Sequence, residues 1–282
     1  MNSVPFAKKT LLLGVGVAKA GTSWLYDYFR QHPEVLMSPI KELHYWNMRF
    51  RPDCCPDWNR KFASDLVRLA HDVTPQSPPG LYDQLEATVD RLRMNASEQA
   101  YMRFFRKRVQ PHHLVFGEFT PGYCLIPEDG LRRLRAQHSK VQIILLLRDP
   151  VGRFYSSLRM QERQNSICAL DVFMAELKDN QARVERCRYD LIIERLERVF
   201  GPDELHIEFF ETLFTNEAIT RICRFVGVSE RAGHFSRKVN ASPPGLPLPA
   251  SLFEAARHVL APSYDVTIRR RPWVVRSFSR WP

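Results

Sequence analysis

The chain has 282 residues, 44% of them hydrophobic, with 18 Phe, 9 Tyr and 5 Trp, enough to bury the core of one large α/β unit or two small ones. That composition excludes a disordered or collagen-like chain. Lys and Arg number 41 against 31 Asp and Glu, a formal charge of +10 with His neutral, which favours an anionic partner: nucleic acid, a membrane surface, or a phosphorylated or sulfated small molecule.

The first element is the apolar run from Leu11 to Ala18, read as a strand over 11–17. It is far shorter than the ~20 residues of a membrane helix, and Lys19 closes it. It leads into motif-like residues rather than a small-residue cleavage site, so it does not read as a signal peptide. With Met at position 1, the expectation is a complete, soluble, cytoplasmic protein. Trp24, Leu25, Tyr28 and Phe29 then recur at helical steps until His32-Pro33 stops the pattern. Further strands are expected at 35–37, 114–118, 142–147 and 205–210. The near-continuous apolar run Val141 to Leu147 suits a strand buried on both faces of a parallel sheet. Helices are expected at 151–163, 169–187, 189–200 and 216–226. Strands alternating with helices predict an α/β fold: three layers, P-loop type, with a central, mostly parallel β-sheet flanked by helices.

The whole chain, 1–282, reads as a single domain with a helical, Arg-rich insertion at about 51–110, broken by Thr74 to Gly80. Insertions of that size between strands often build a wall or lid of a substrate site. A Pro-rich loop from Ser242 to Pro249 precedes a helical and basic tail at about 249–282, which from Arg269 to Pro282 carries five Arg and no acid. The six cysteines show no CxxC spacing. The Cys54-Cys55 pair, near His44 and His71, fits no common zinc motif, so free buried or half-buried thiols are expected and no metal.

Two segments carry chemistry. Gly16-Val17-Ala18-Lys19-Ala20-Gly21-Thr22-Ser23 follows a strand and opens a helix. Glycines five apart followed by a hydroxyl residue form the skeleton of a phosphate-binding loop, with backbone N–H groups and the helix N-terminus facing the anion. A nucleotide-hydrolysing loop needs Lys directly after the second Gly. Here Thr22 stands there, and no magnesium constellation is implied. The second segment is Arg148-Asp149-Pro150-Val151-Gly152-Arg153-Phe154-Tyr155-Ser156, at the end of the most apolar strand. Carboxyl ends of parallel strands are where open α/β sheets bind ligands. Read as packing alone, the first segment is an ordinary strand–turn–helix. In the second, Asp149 caps a helix that has Pro150 in its first turn.

Lys19-Ala20-Gly21-Thr22-Ser23 with His32-Pro33, and the Arg-Asp-Pro-x-x-Arg-x-x-Ser pattern at 148–156, resemble the two cofactor-binding elements of sulfotransferases that use 3′-phosphoadenosine 5′-phosphosulfate (PAPS). The resemblance covers most of residues 10–230, ending at Phe209-Phe210-Glu211-Thr212-Leu213. It implies that backbone amides and the Thr22 and Ser23 hydroxyls hold the 5′-phosphate, that Lys19 neutralises the leaving oxygen, and that Arg148 and Ser156 hold the 3′-phosphate. Lys41-Glu42-Leu43-His44-Tyr45-Trp46 resembles an element of the heparan sulfate type and related bacterial enzymes in which the Glu is the general base. That maps to Glu42. His44 is the other candidate, since imidazole titrates nearer neutrality. On packing grounds alone, Glu42 pairs with Lys41 or Arg49, and Tyr45 and Trp46 form either an acceptor wall or core. Gly117 to Tyr123 resembles the glycosaminoglycan enzymes' Glu-Lys-[Ser/Thr]-Pro-x-Tyr, but Phe119 replaces the Lys. That replacement would suit an apolar or aromatic acceptor, and Glu118 is expected to be structural.

The function implied is transfer of a sulfuryl group from PAPS, without a metal, to a hydroxyl, or less readily an amine, of a carbohydrate, lipid or small metabolite. Two alternatives stand beside it. One is a P-loop kinase or NTPase. The other is a basic nucleic-acid or membrane module using Arg103, Arg106, Lys107, Arg108 and the Arg269–Arg280 tail, with Phe104 and Phe105 interleaved. No nucleic acid is expected as partner under the leading reading, while the tail offers peripheral contact with anionic surfaces.

Overall fold

A computed structural model describes residues 5–54, 56–165, 168–179, 181–236 and 246–270. Five strands, β1 (Thr10–Gly16), β2 (Val35–Met37), β3 (Val115–Phe119), β4 (Val141–Leu147) and β5 (Leu205–Phe209), form one sheet in the order β2-β3-β1-β4-β5. Every neighbouring pair is parallel. All residues of β1, β3 and β4 are buried, which is why these strands read as unbroken apolar runs rather than alternating ones.

The helices follow in chain order. α1 (Thr22–Arg30) comes directly after β1, and α2 (Tyr45–Phe50) after β2. α3 (Trp58–Asp72), α4 (Pro79–Arg93) and α5 (Glu98–Arg106) make up the expected helical insertion before β3. A 3₁₀ turn (Pro121–Leu125) and α6 (Glu128–Arg135) lead to β4, and α7 (Pro150–Asn165) leaves it. Within the stretch expected to be helical at 169–187, helix is described over α8 (Phe173–Asp179) and α9 (Gln181–Glu185). α10 (Tyr189–Glu197), α11 (Phe210–Leu213), α12 (Asn216–Val226), α13 (Ala250–Val259) and α14 (Ala261–Arg270) complete the chain described. Most of the arginine-rich tail and residues 242–245 of the Pro-rich loop lie outside the described residues.

Gly14 illustrates how tightly α1 is drawn onto the sheet through Phe119. A Cβ there would stand 2.1 Å from the Phe119 ring, which itself packs among Tyr26 and Phe29. After β1 the chain moves to β2 and returns through β3, then crosses to β4 on the opposite side of β1. The carboxyl ends of β1 and β4 therefore flank the point where the strand order reverses, the crevice open α/β sheets use for ligands. No helix among the described residues is long and apolar enough to cross a membrane.

Candidate active site

Both strand-end segments meet at that crevice. The turn after β1 carries Lys19 in the left-handed region, φ 73°, and Gly21 at φ 86°. Gly21 is required twice over: its backbone is one that L side chains avoid, and a Cβ would lie 2.7 Å from Leu213 Cδ2. Ala20 and Thr22 are buried, and Lys19 and Ser23 half-buried. No side chain caps the N-terminus of α1, so its first N–H groups remain suited to an anion. Across the crevice Arg148 Nη1 donates to the Lys19 carbonyl at 3.1 Å, and its guanidinium lies 4.4 Å from the centre of the Phe210 ring. Asp149 caps the Gly152 N–H and Pro150 opens α7, so the capping reading of this segment also holds. Ser156 stands half-buried on α7.

The segment after β5 braces both sides, a role with no local signature beyond the likeness of Phe209 to Leu213 to a late strand and turn. Leu213 fills the space against Gly21, Phe210 lies against Arg148, and Glu211 Oε1 accepts the Asp149 N–H at 2.8 Å. Burial pushes the Glu211 carboxyl up to about 7, against the opposing pull of the Asp149 amide and Arg148.

The loop from Lys41 to His44, beyond β2, sits at the same edge of the sheet. With three inter-strand steps from β2 to β4, the row of strand ends spans ~15 Å. Glu42 and His44 have φ of 67° and 53°, and with Lys19 they are the non-glycine residues of positive φ among those described. Such conformations cost about 1–2 kcal/mol each, and they gather where the surrounding structure over-determines them. Glu42 pairs with Lys41 Nζ at 2.6 Å rather than with Arg49, which holds Glu98. His44 Nε2 lies 3.2 Å from Glu42 Oε2, within ion-pair distance but off hydrogen-bond alignment. Burial pushes the Glu42 carboxyl up, but the pull of His44 and Lys41 outweighs it and holds the group at about 2. The His44 ring is buried and stacks on Trp58 of α3, centroids 3.6 Å apart and planes 11° apart. The helical insertion thus forms a wall beside this loop. Trp58 was not singled out in the sequence, because nothing in its spacing ties it to His44.

Beneath the loop lies Glu118, fully buried as expected of a structural carboxylate. It accepts from Tyr101 Oη and Tyr123 Oη, both at 2.8 Å, from Thr120 Oγ1 at 2.6 Å and from the Leu43 N–H at 3.2 Å. Burial raises its carboxyl, and these donors pull it back.

One expectation is corrected, and two open alternatives are narrowed. Phe119 does not face an acceptor. Strand alternation turns it away from Glu118 and into the core under α1, so its replacement of a Lys says nothing about acceptor polarity. Trp46 and Tyr45 are core, packed with Tyr101, and form no wall. Phe104 and Phe105 are buried rather than interleaved for base stacking. Lys107 and Arg108 pair with Asp90, and Arg106 covers the Phe6 ring, so the basic-module reading keeps exposed Arg103, Arg106 and Lys107 but loses its aromatic residues. Of the cysteines described, Cys124, Cys187 and Cys223 are buried, Cys54 and Cys168 half-buried, and all are free; Cys55 lies outside the described residues. No group of three or more His, Cys, Asp or Glu able to hold a metal forms among the described residues.

Comparison with known proteins bears on the family and the fold. The chain is 24% identical over 189 residues to carbohydrate sulfotransferase 15 of Rattus norvegicus and, equally, of Mus musculus. The match takes in 62% of this chain but only 31% of those proteins' length. Among solved structures, a sulfotransferase from Alicyclobacillus acidocaldarius superposes with a TM-score of 0.64 at 20% identity, covering 96% of this chain and 99% of that one. The sulfotransferase domain from the curacin biosynthetic pathway gives 0.51 at 16% identity, with 81% and 76% covered. At those identities the structural likeness concerns the fold. The sequence match to a family model is broader, running over residues 12–231, from within β1 to past α12, and by it the chain belongs to the Sulfotransferase family.

Proposed function

We propose that this chain transfers a sulfuryl group from PAPS to a hydroxyl, or less readily an amine, of a carbohydrate, lipid or small-metabolite acceptor. The observation that carries the reading is the 3.1 Å bond from Arg148 to the Lys19 carbonyl, which joins the two anion-binding segments in one crevice. The residues fit the donor: an uncapped helix N-terminus with Thr22 and Ser23 suits the 5′-phosphate, and Arg148 and Ser156, on the strand end and the helix beyond it, suit the 3′-phosphate. When bound, the donor supplies a sulfuryl group activated by its bond to phosphate. Lys19 stabilises the charge that develops on the leaving phosphate oxygen. Glu42, held ionised, accepts the acceptor's proton, while Lys41 and His44 orient its carboxylate. Positioning and charge stabilisation are what a protein can contribute to such a transfer. Thr22 in place of the nucleotide-hydrolase Lys supports a reaction without magnesium.

The test is transfer of labelled sulfate from PAPS to a panel of glycans, lipids and phenolic or alcoholic metabolites, with chelator present, beside Glu42→Gln and Lys19→Ala. Transfer to at least one acceptor class, lost in both variants, is expected. A strict magnesium requirement, or hydrolysis of ATP in place of transfer, overturns the reading in favour of a kinase or NTPase.

A further inference from the structure

Leu43 lies between the two left-handed residues Glu42 and His44, and both polar groups of its backbone are held from opposite sides. Its N–H donates to Glu118 Oε2 at 3.2 Å, and its carbonyl accepts from Arg91 Nε. Arg91 comes from α4 of the insertion and Glu118 from β3, and each is 0% exposed. The hub reaches the loop by two further routes. Thr120 Oγ1, which donates to Glu118, accepts the His44 N–H at 3.5 Å. Tyr123 Oη, which also donates to Glu118, accepts the Trp46 N–H at 3.4 Å. A carboxylate is an acceptor at every lone pair, and here all four approaching groups are donors. Of the four, the Leu43 N–H must donate and the three hydroxyls are turned to donate, while the Arg91 guanidinium holds the loop from its other side.

We propose that Glu118 and Arg91 are positioning residues that clamp the Leu43 peptide and so hold Glu42 and His44 in the strained backbone needed to present the proton acceptor. This rests on the reading of Glu42 as the base. Neither residue need touch substrate. The donor-binding segments lie on β1 and β4, outside this hydrogen-bonded hub, so the two functions are separable.

The test compares the full-length protein with Glu118→Gln, Tyr123→Phe and Glu42→Gln. Amide hydrogen exchange is followed at residues 41–46 and at β1 and β4, alongside kcat and the Kd for 3′-phosphoadenosine 5′-phosphate. Glu118→Gln keeps the shape but turns an NH₂ donor toward groups that are themselves donors. It is expected to speed exchange at Leu43 and His44 at least tenfold and to lower kcat at least tenfold, with the Kd within twofold of wild type. Tyr123→Phe, which removes one donor and is the milder change should Glu118→Gln not fold, is expected to give a smaller effect of the same pattern. Unchanged exchange at 41–46 in Glu118→Gln overturns the proposal, as does a kcat loss accompanied by weakened nucleotide binding and general loss of protection at β1 and β4. Full turnover in Glu42→Gln refutes the base assignment instead, and the exchange data still decide whether Glu118 holds the loop.

Discussion

At the β1–β4 side of the strand-end row, each segment proposed to hold a phosphate of the donor is a short run of chain. Residues 16–23 turn from strand to helix on their own glycines, and residues 148–156 turn on Asp149 and Pro150. At the β2–β3 side, the loop bearing Glu42 and His44 has little local support. It is held by Trp58 of α3, Arg91 of α4, and Glu118 and Thr120 from β3 and its end. Phosphate recognition uses groups the backbone itself provides at a helix start, so a local motif suffices. Holding a carboxylate in a strained conformation needs tertiary partners, which here arrive from widely spaced segments.

Four changes test that contrast. Glu42→Gln on the loop side is expected to have the largest effect, a fall in turnover of about 10²–10⁴-fold with nucleotide affinity unchanged, read by labelled sulfate transfer. The pH profile sharpens it. Because Glu42 is held at about 2, a rate that stays flat from pH 7 to pH 5 agrees with Glu42 as the proton acceptor, whereas an acid limb within that range excludes it. On the nucleotide side, Arg148→Ala is expected to weaken binding of 3′-phosphoadenosine 5′-phosphate by about 2–3 kcal/mol, seen by calorimetry. If instead it lowers kcat with binding intact, the two sides are not functionally distinct.

Trp58→Ala removes the ring stacked on His44. A loss of about 0.5–1.5 kcal/mol, a two- to twelvefold fall in kcat, should appear without a change in nucleotide affinity. The smallest effect is expected from Glu211→Gln. Its folded carboxyl is raised to about 7 by burial, with Arg148 and Asp149 facing it, so the stability this group contributes is present below its ordinary value near 4.5 and lost as pH rises through about 7. The variant should therefore gain stability relative to wild type as pH rises from 5 to 8 in urea denaturation. An equal difference at both pH values would remove Glu211 from the account of the nucleotide side.

Legibility in the sequence followed the same division. Strands β1, β3 and β4 were visible because they are buried on both faces and carry no polar alternation to blur them. Lys19, Gly21 and Arg148 were legible because each belongs to a motif within a few residues of itself. Glu42 and His44 were legible as residues, but not as a pair set beneath Trp58 and above Glu118. The Phe119 expectation failed for a physical reason: a substitution against a family pattern was read as a change of lining. The period of two along β3 instead puts Phe119 on the sheet face opposite Glu118 and under α1.

By itself, then, the sequence determined the parallel α/β layering and the two strand-end turns, because apolar runs, glycine conformation and helix starts are properties of neighbours along the chain. Only the tertiary structure decided that Arg148 reaches the Lys19 carbonyl, that α11 braces both segments, and that Leu43 is gripped between Glu118 and Arg91. Those contacts join residues tens of positions apart, and hydrogen bonds across such separations are set by packing rather than by any local pattern.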